Sequence, residues 1–236
     1  MQFLIFVLLI CFFIFLFPVF LLSRDDFVLM RKDVTTEKVF NITFMIFAVS
    51  IFSARIFYAF SNPSLNFLNP LVFFLFPYFP GLSLAGGVGG GVLLLALLST
   101  YKRFPASRLF DIFSISLLCC FPFGILGYFL LSAEFILSPR PIVLLLIHVA
   151  ILIFFLRFIL PRMLKGRFKD GTVGFLFLIF FSVAFLIDNV ISRINMFNFS
   201  LEDLVLILML YTSVVFLFRQ EKILTKLKKY LSAKKM

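Results

Sequence analysis

The polar and apolar positions fall into seven long apolar runs, separated by short stretches that hold most of the charge. They predict membrane-crossing helices over Phe3–Leu22, Val39–Phe60, Gly81–Leu98, Leu109–Leu131, Pro141–Leu160, Val173–Asp188 and Leu204–Phe218, because a helix needs about 20 apolar residues to cross the hydrocarbon core. Residues 62–80, with prolines at 63, 70, 77 and 80, leave no room for another crossing. They are read as a short interfacial helix and turn.

Composition supports the pattern: 63% of the residues are hydrophobic, only 14% are charged, and the mean hydropathy is +1.16. A soluble domain has roughly 25% charged residues, so the expected class is an all-α integral membrane protein. Residues 1–236 form one polytopic membrane domain on this reading, with a basic tail over 219–236. The first run lacks a basic leader, and its length exceeds the core of a signal peptide. Cys11 follows the bulky Ile10 and makes a poor lipidation site. Cys11, Cys119 and Cys120 lie in apolar runs, lack metal-binding spacing and are read as structural. Neither a metal nor a cofactor is expected.

Orientation follows from the basic residues. Eighteen of the 22 Lys and Arg lie in alternate loops and in the tail: Arg24 to Lys38, Lys102 to Arg108, Arg162 to Lys169, and Arg219 to Lys235. Arg140 and Arg193 lie on the opposite side, with Arg55 and Arg157 inside spans. The positive-inside rule then puts the N-terminus outside and the basic tail in the cytoplasm. That asymmetry accounts for the net charge of +11 without nucleic acid.

Within this apolar background a few residues stand out. Gly86, Gly87, Gly90 and Gly91 place two pairs of glycines four apart at the outer half of the third span, where a helix or a lipid can approach the backbone closely. Arg55 lies in the outer third of the second span, and Asp188 and Arg193 at the outer end of the sixth; a membrane-embedded charge calls for a partner or a route to the interface. Asp111 and Arg108 at the start of the fourth span are read as structural, with Asp111 complementing the helix dipole. His148, the only histidine, is read as a buried hydrogen-bonder between helices.

The order of "SARIFYAF", "PGLSLAGGVGGGV", "FPFGILGYF", "GFLFLIFFSVAFLID" and "FSLEDLVLILML" resembles the bacterial prolipoprotein diacylglyceryl transferase family. The resemblance implies a multi-pass protein of the bacterial plasma (cytoplasmic) membrane. Its members move a diacylglyceryl group from phosphatidylglycerol to the lipobox cysteine of a prolipoprotein signal peptide. Arg55 matches the arginine of "G-x-R-hydrophobic-x-Y". Gly81, Ser83, Gly86 and Gly87 match "G-G-M-S-x-H-G-G", with Ala85 in the place of the histidine. Gly124 and Gly127 match the signature "G-R-x-G-N-F-x-N-x-E", with Ile125 for the arginine, Tyr128 and Leu131 for the asparagines and Ala133 for the glutamate. Ala184 stands for a further arginine.

By resemblance, Arg55, Ser83, Gly86, Gly87, Gly124 and Gly127 form the lipid-phosphate site, and Glu134, Asp188 and Arg193 are candidates to compensate for the replaced groups. Arginine supplies a planar fork of donors that isoleucine and alanine cannot replace. The expected function is therefore a catalytically degenerate member that retains binding of phosphatidylglycerol or another anionic phospholipid. The alternatives are an active divergent transferase and a small transporter.

Overall fold

The computed structural model describes residues 2–63, 81–102, 104–132, 140–192 and 199–221. The expected interfacial segment from residue 64 onward, Glu134, Arg193 and the tail after residue 221 lie outside the described residues, as do the side chains of Tyr128 and Leu131. Among the described residues the chain is helical, without strands. The helices are α1 (Gln2–Arg24), α2 (Phe27–Met30), α3 (Thr36–Ser61), α4 (Leu84–Lys102), α5 (Ala106–Ser132), α6 (Arg140–Phe154), α7 (Leu160–Leu164), α8 (Thr172–Ser192) and α9 (Leu201–Glu221). A π-helical turn, Phe155–Ile159, joins α6 to α7, so that the two form one span.

Among the described residues, seven helical stretches are long and apolar enough to cross a membrane. Each contains most of a run predicted from sequence, and the differences at the ends have local causes. The third helix starts at Leu84 because Ser83 caps it: its Oγ accepts from the Gly86 N–H at 3.2 Å. Gly81 precedes the cap with a φ of +146°, a conformation other residues rarely adopt. The fifth span continues beyond Leu160 because the π turn accommodates Pro161, which has no N–H to donate.

α5 lies at the centre, packed against α1, α4, α6 and α8. α3 and α4 form a tight pair on one side, α8 and α9 a second pair, and α9 also reaches α4. Water cannot satisfy a backbone in lipid, so helices that bond internally are the available solution. Their packing then rests on shape. Phe121 on α5 stacks on Phe177 and Phe181 of α8, at ring separations of 5.9 and 5.6 Å. The glycines of α4 do the same work for the other pair: Gly86, Gly87, Gly90 and Gly91 lie against Ser50, Ser53, Ala54 and Phe57 of α3.

The two ends of the bundle differ. At the basic end, Asp26 caps α2 and accepts from the Arg108 Nε at 2.7 Å, and Arg108 also pairs with Asp170 at 3.6 Å. Asp111 is not the dipole partner expected from its place at the start of α5. It reaches across to α8 and accepts from the amides of Gly171 and Gly174, at 2.7 and 2.8 Å. Thr172 and the Lys169 amide both donate to Glu221 of α9. One polar network thus ties the ends of α2, α5, α8 and α9 together.

Candidate functional site

The opposite end of the bundle carries the residues singled out from sequence. Here α3 ends, α4 begins, α5 ends, α6 begins, α8 ends and α9 begins. Arg55 is 2% exposed, and its Nη1 donates to the Gly81 carbonyl at 2.8 Å. Two residues further on, the Ser83 N–H donates to the Ala54 carbonyl at 3.1 Å. Two bonds therefore fasten the start of α4 to the last turns of α3, and place a guanidinium beside the N-terminal end of a 19-residue helix. That end carries the positive pole of the helix dipole, so an arginine and a dipole of the same sign converge there.

Ser83, Gly86 and Gly87 join Arg55 in this cluster. Their amides are already engaged: Gly86 N–H donates to the Ser83 hydroxyl and Gly87 N–H to the Ser83 carbonyl. Their missing side chains admit α3, since a methyl group on Gly86 would overlap Phe57. Gly124 and Gly127 lie elsewhere, against α1. A methyl on Gly124 would meet Cys11 Sγ at 3.6 Å, and one on Gly127 would overlap Val7. Thus the α3–α4 contact brings four of the six expected binding residues together, while the other two serve the α1–α5 contact.

The three apolar residues expected at functional positions of the family turn inward. Ala85, Ile125 and Ala184 are all buried. Ala85 belongs to the same apolar cluster as Phe121 and Phe181, and Ile125 packs on Leu144. Asp188 is half-buried near the end of α8.

His148 also differs from its expected role. Its Nδ1 donates to the Leu144 carbonyl of its own helix at 2.9 Å rather than across to a neighbour. The ring is 1% exposed, set edge-on to Phe121 and Phe185. Asp203, missed from sequence, accepts from Asn189 Nδ2 at 2.8 Å and from the Ser200 amide and hydroxyl at 2.9 and 2.8 Å. Its signal was the Ser-x-x-Asp spacing of a capping box.

A model of the prolipoprotein diacylglyceryl transferase family matches residues 3–136, more than half of the chain. The chain belongs to this family. No curated protein and no solved structure matches it. The matched region contains α1 to α5, hence Arg55, the glycine-rich start of α4 and the Gly124–Gly127 stretch. Membership gives the chain a transferase-like function in bacterial lipoprotein biosynthesis, embedded in a membrane, with lipid and prolipoprotein as the family's substrates.

Proposed function

We propose that this family member binds an anionic phospholipid, phosphatidylglycerol or one like it, at the junction of α3 and α4, and that it has lost the transfer chemistry. The observation that carries the reading is Arg55, buried within the bundle at the N-terminal end of α4 with one donor bonded to the Gly81 carbonyl. A guanidinium in low dielectric beside a helix N-terminus favours a phosphate.

Transfer asks for more. Displacing glycerol phosphate with a thiol requires a base for the thiol and several donors for the departing dianion. Ala85, Ile125 and Ala184 offer neither and sit buried among apolar side chains. Losing one donor of this kind costs on the order of 100-fold in rate, so losing several leaves little.

Purified protein should carry phosphatidylglycerol, detectable by mass spectrometry of the extracted lipid. Arg55→Ala is expected to lower the retained lipid at least about tenfold, since a hydrogen bond to a charged group contributes about 1.5–3 kcal/mol. Arg55→Lys keeps the charge without the fork and falls between. Equal lipid in wild type and Arg55→Ala would defeat the binding reading. Transfer to a lipobox peptide by the wild type would instead establish an active divergent transferase.

The proposed orientation has the N-terminus outside and the basic end in the cytoplasm, by the same rule of basic loops. Single cysteines replacing Lys32 or Lys169 are expected to react with a membrane-impermeant maleimide only after the membrane is opened. Labelling of either in intact cells would reverse the topology.

A further inference from the structure

A cavity of about 560 Å³ opens at the basic end of the bundle, the end opposite Arg55. It is lined by Phe27, Val28, Arg31 and Lys32 from α2 and the turn after it, and by Asp170, two residues before α8. Its size suits a small polar ligand, since such sites span roughly 300–1,000 Å³.

The walls are held from below. Leu29 is fully buried with Val19, Val34 and Val39, which turns the other face of this helical turn outward. Residues 27 and 31, and 28 and 32, are four apart and share that face. Arg108, itself 8% exposed, joins the two walls: its Nε donates to Asp26, the cap of α2, and its Nη1 lies 3.6 Å from Asp170 Oδ1. Gln220 of α9 donates to the Asp170 carbonyl. The Asp170 side chain remains 42% exposed, and its Oδ2 accepts no hydrogen bond among the described residues.

Two cations and one carboxylate therefore face the cavity. Arg31 and Lys32 are exposed, and among the described residues neither side chain makes an ion pair or a hydrogen bond. A simple anion would meet both cations but also the carboxylate; a simple cation would meet two like charges. A ligand that carries phosphate and ammonium together satisfies all three. The segment from Arg24 to Lys38 holds four acidic residues against four basic ones, so it lacks the net pull of a polybasic stretch on an anionic surface. Beside these charges, Phe27 and Met30 are 85% and 61% exposed, between the first two spans. Large apolar side chains next to cations suit the boundary between headgroups and acyl chains.

We propose that this cavity binds the headgroup of a zwitterionic phospholipid with a primary ammonium, of which phosphatidylethanolamine is the simplest. The phosphate lies on Arg31 and Lys32, the ammonium on Asp170, and the acyl chains run along Phe27 and Met30. A primary ammonium brings three N–H donors to the carboxylate, whereas the trimethylated group of choline brings none. The site is separate from the phosphate site at Arg55 and stands without it.

The test titrates the full chain in detergent with phosphatidylethanolamine, phosphatidylcholine and phosphatidylglycerol of the same acyl chains, and counts bound lipid by native mass spectrometry. In Arg55→Ala, where the other lipid site is removed, phosphatidylethanolamine is expected to bind about fivefold more tightly than either competitor, the upper range for a partly exposed ion pair. The same preference over phosphatidylcholine is expected in wild type. Asp170→Asn, nearly equal in size, should bind phosphatidylethanolamine and phosphatidylcholine alike. Arg31→Gln with Lys32→Gln alters exposed residues only and should weaken both lipids about fivefold or more. Glycerophosphoethanolamine, which lacks acyl chains, should not displace the lipid at equal concentration. Equal binding of the two lipids in Arg55→Ala, or a preference that survives Asp170→Asn, overturns the site, and displacement by the chain-free headgroup overturns its assignment to a lipid. If Asp170→Asn does not fold, unchanged phosphatidylethanolamine binding in the Arg31→Gln, Lys32→Gln variant overturns the site instead. Loss of phosphatidylglycerol in Arg55→Ala reports only on the opposite end, so the two readings fail separately.

Discussion

Gly90→Leu is expected to destroy most of the folded protein, while Gly89→Leu leaves its yield close to that of the wild type. The two substitutions are adjacent in α4 and equal in helix propensity and added apolar surface. What differs is the neighbour. A methyl group on Gly90 would overlap the Ser53 side chain on α3, whereas one on Gly89 would meet nothing within 4 Å. The overlap involves Ser53 Cβ as well as its hydroxyl, so rotating the serine gives no relief and the helices must move apart. Overpacking of this kind costs about 1–3 kcal/mol for a few carbons, and leucine adds four. Separation would also draw the Ser83 amide away from the Ala54 carbonyl on α3, and Arg55 away from the Gly81 carbonyl just before α4. Detergent-solubilised, monodisperse yield by fluorescence-detected gel filtration would measure the difference. Gly90→Ala together with Ser53→Gly should recover much of what Gly90→Ala alone loses. Equal yields of Gly89→Leu and Gly90→Leu would show that α3 and α4 do not meet on this face.

The span count was legible because a bilayer demands length and apolarity, and both are written directly in the chain. Which helices touch was much less so. In a soluble protein the apolar stripe of a helix marks its buried face, but in lipid the outer surface is apolar too: Leu93 and Leu97 are exposed on α4, while Leu95 and Leu98 are buried. Small residues were the better guide. Gly86, Gly87, Gly90 and Gly91 marked a close contact, and Ser50, Ser53 and Ala54 at matching spacing in the preceding span supplied its other half. The candidate site was legible only as a set of motif positions. Sequence could place His148 inside a span, but which ring nitrogen is engaged depends on the turn that sets Leu144 beneath it.

Burial also constrains substitution at the motif positions. A histidine at Ala85 and an arginine at Ile125 would put new polar groups where 6% and 7% of the residue is exposed. Ile125 packs on Leu144 and Leu145, which offer no side-chain acceptor. An unpaired guanidinium there costs several kcal/mol in practice. The apolar packing at Ala85 and Ile125 thus opposes a histidine or an arginine at either position.

Asp111→Ala is expected to be the most destabilising change at the basic end, by about 3–5 kcal/mol. Asp111 is fully buried, and its two carboxylate oxygens accept separately from Gly171 and Gly174. Those amides belong to the first turn of α8 and the residue before it, where no helical carbonyl can reach them. Alanine would orphan both at a cost of about 1–3 kcal/mol each, and would remove hydrogen bonds to a charged group. Local rearrangement is restricted because Gly171 holds a φ of +95° and Gly174 lies directly against the Phe110 ring. The neighbouring Arg108 would keep its bond to Asp26 but lose the carboxylate that stands one turn away on its own helix. Ser116→Ala is the matched control: it is equally buried, but its hydroxyl bonds only to the Ile112 carbonyl of the same helix, so its loss strands no donor. In an SDS titration followed by circular dichroism, Asp111→Ala should unfold far earlier than Ser116→Ala, with Asp111→Asn between them because it retains one accepting oxygen. If Asp111→Ala and Ser116→Ala unfold together, the carboxylate does not hold the start of α8.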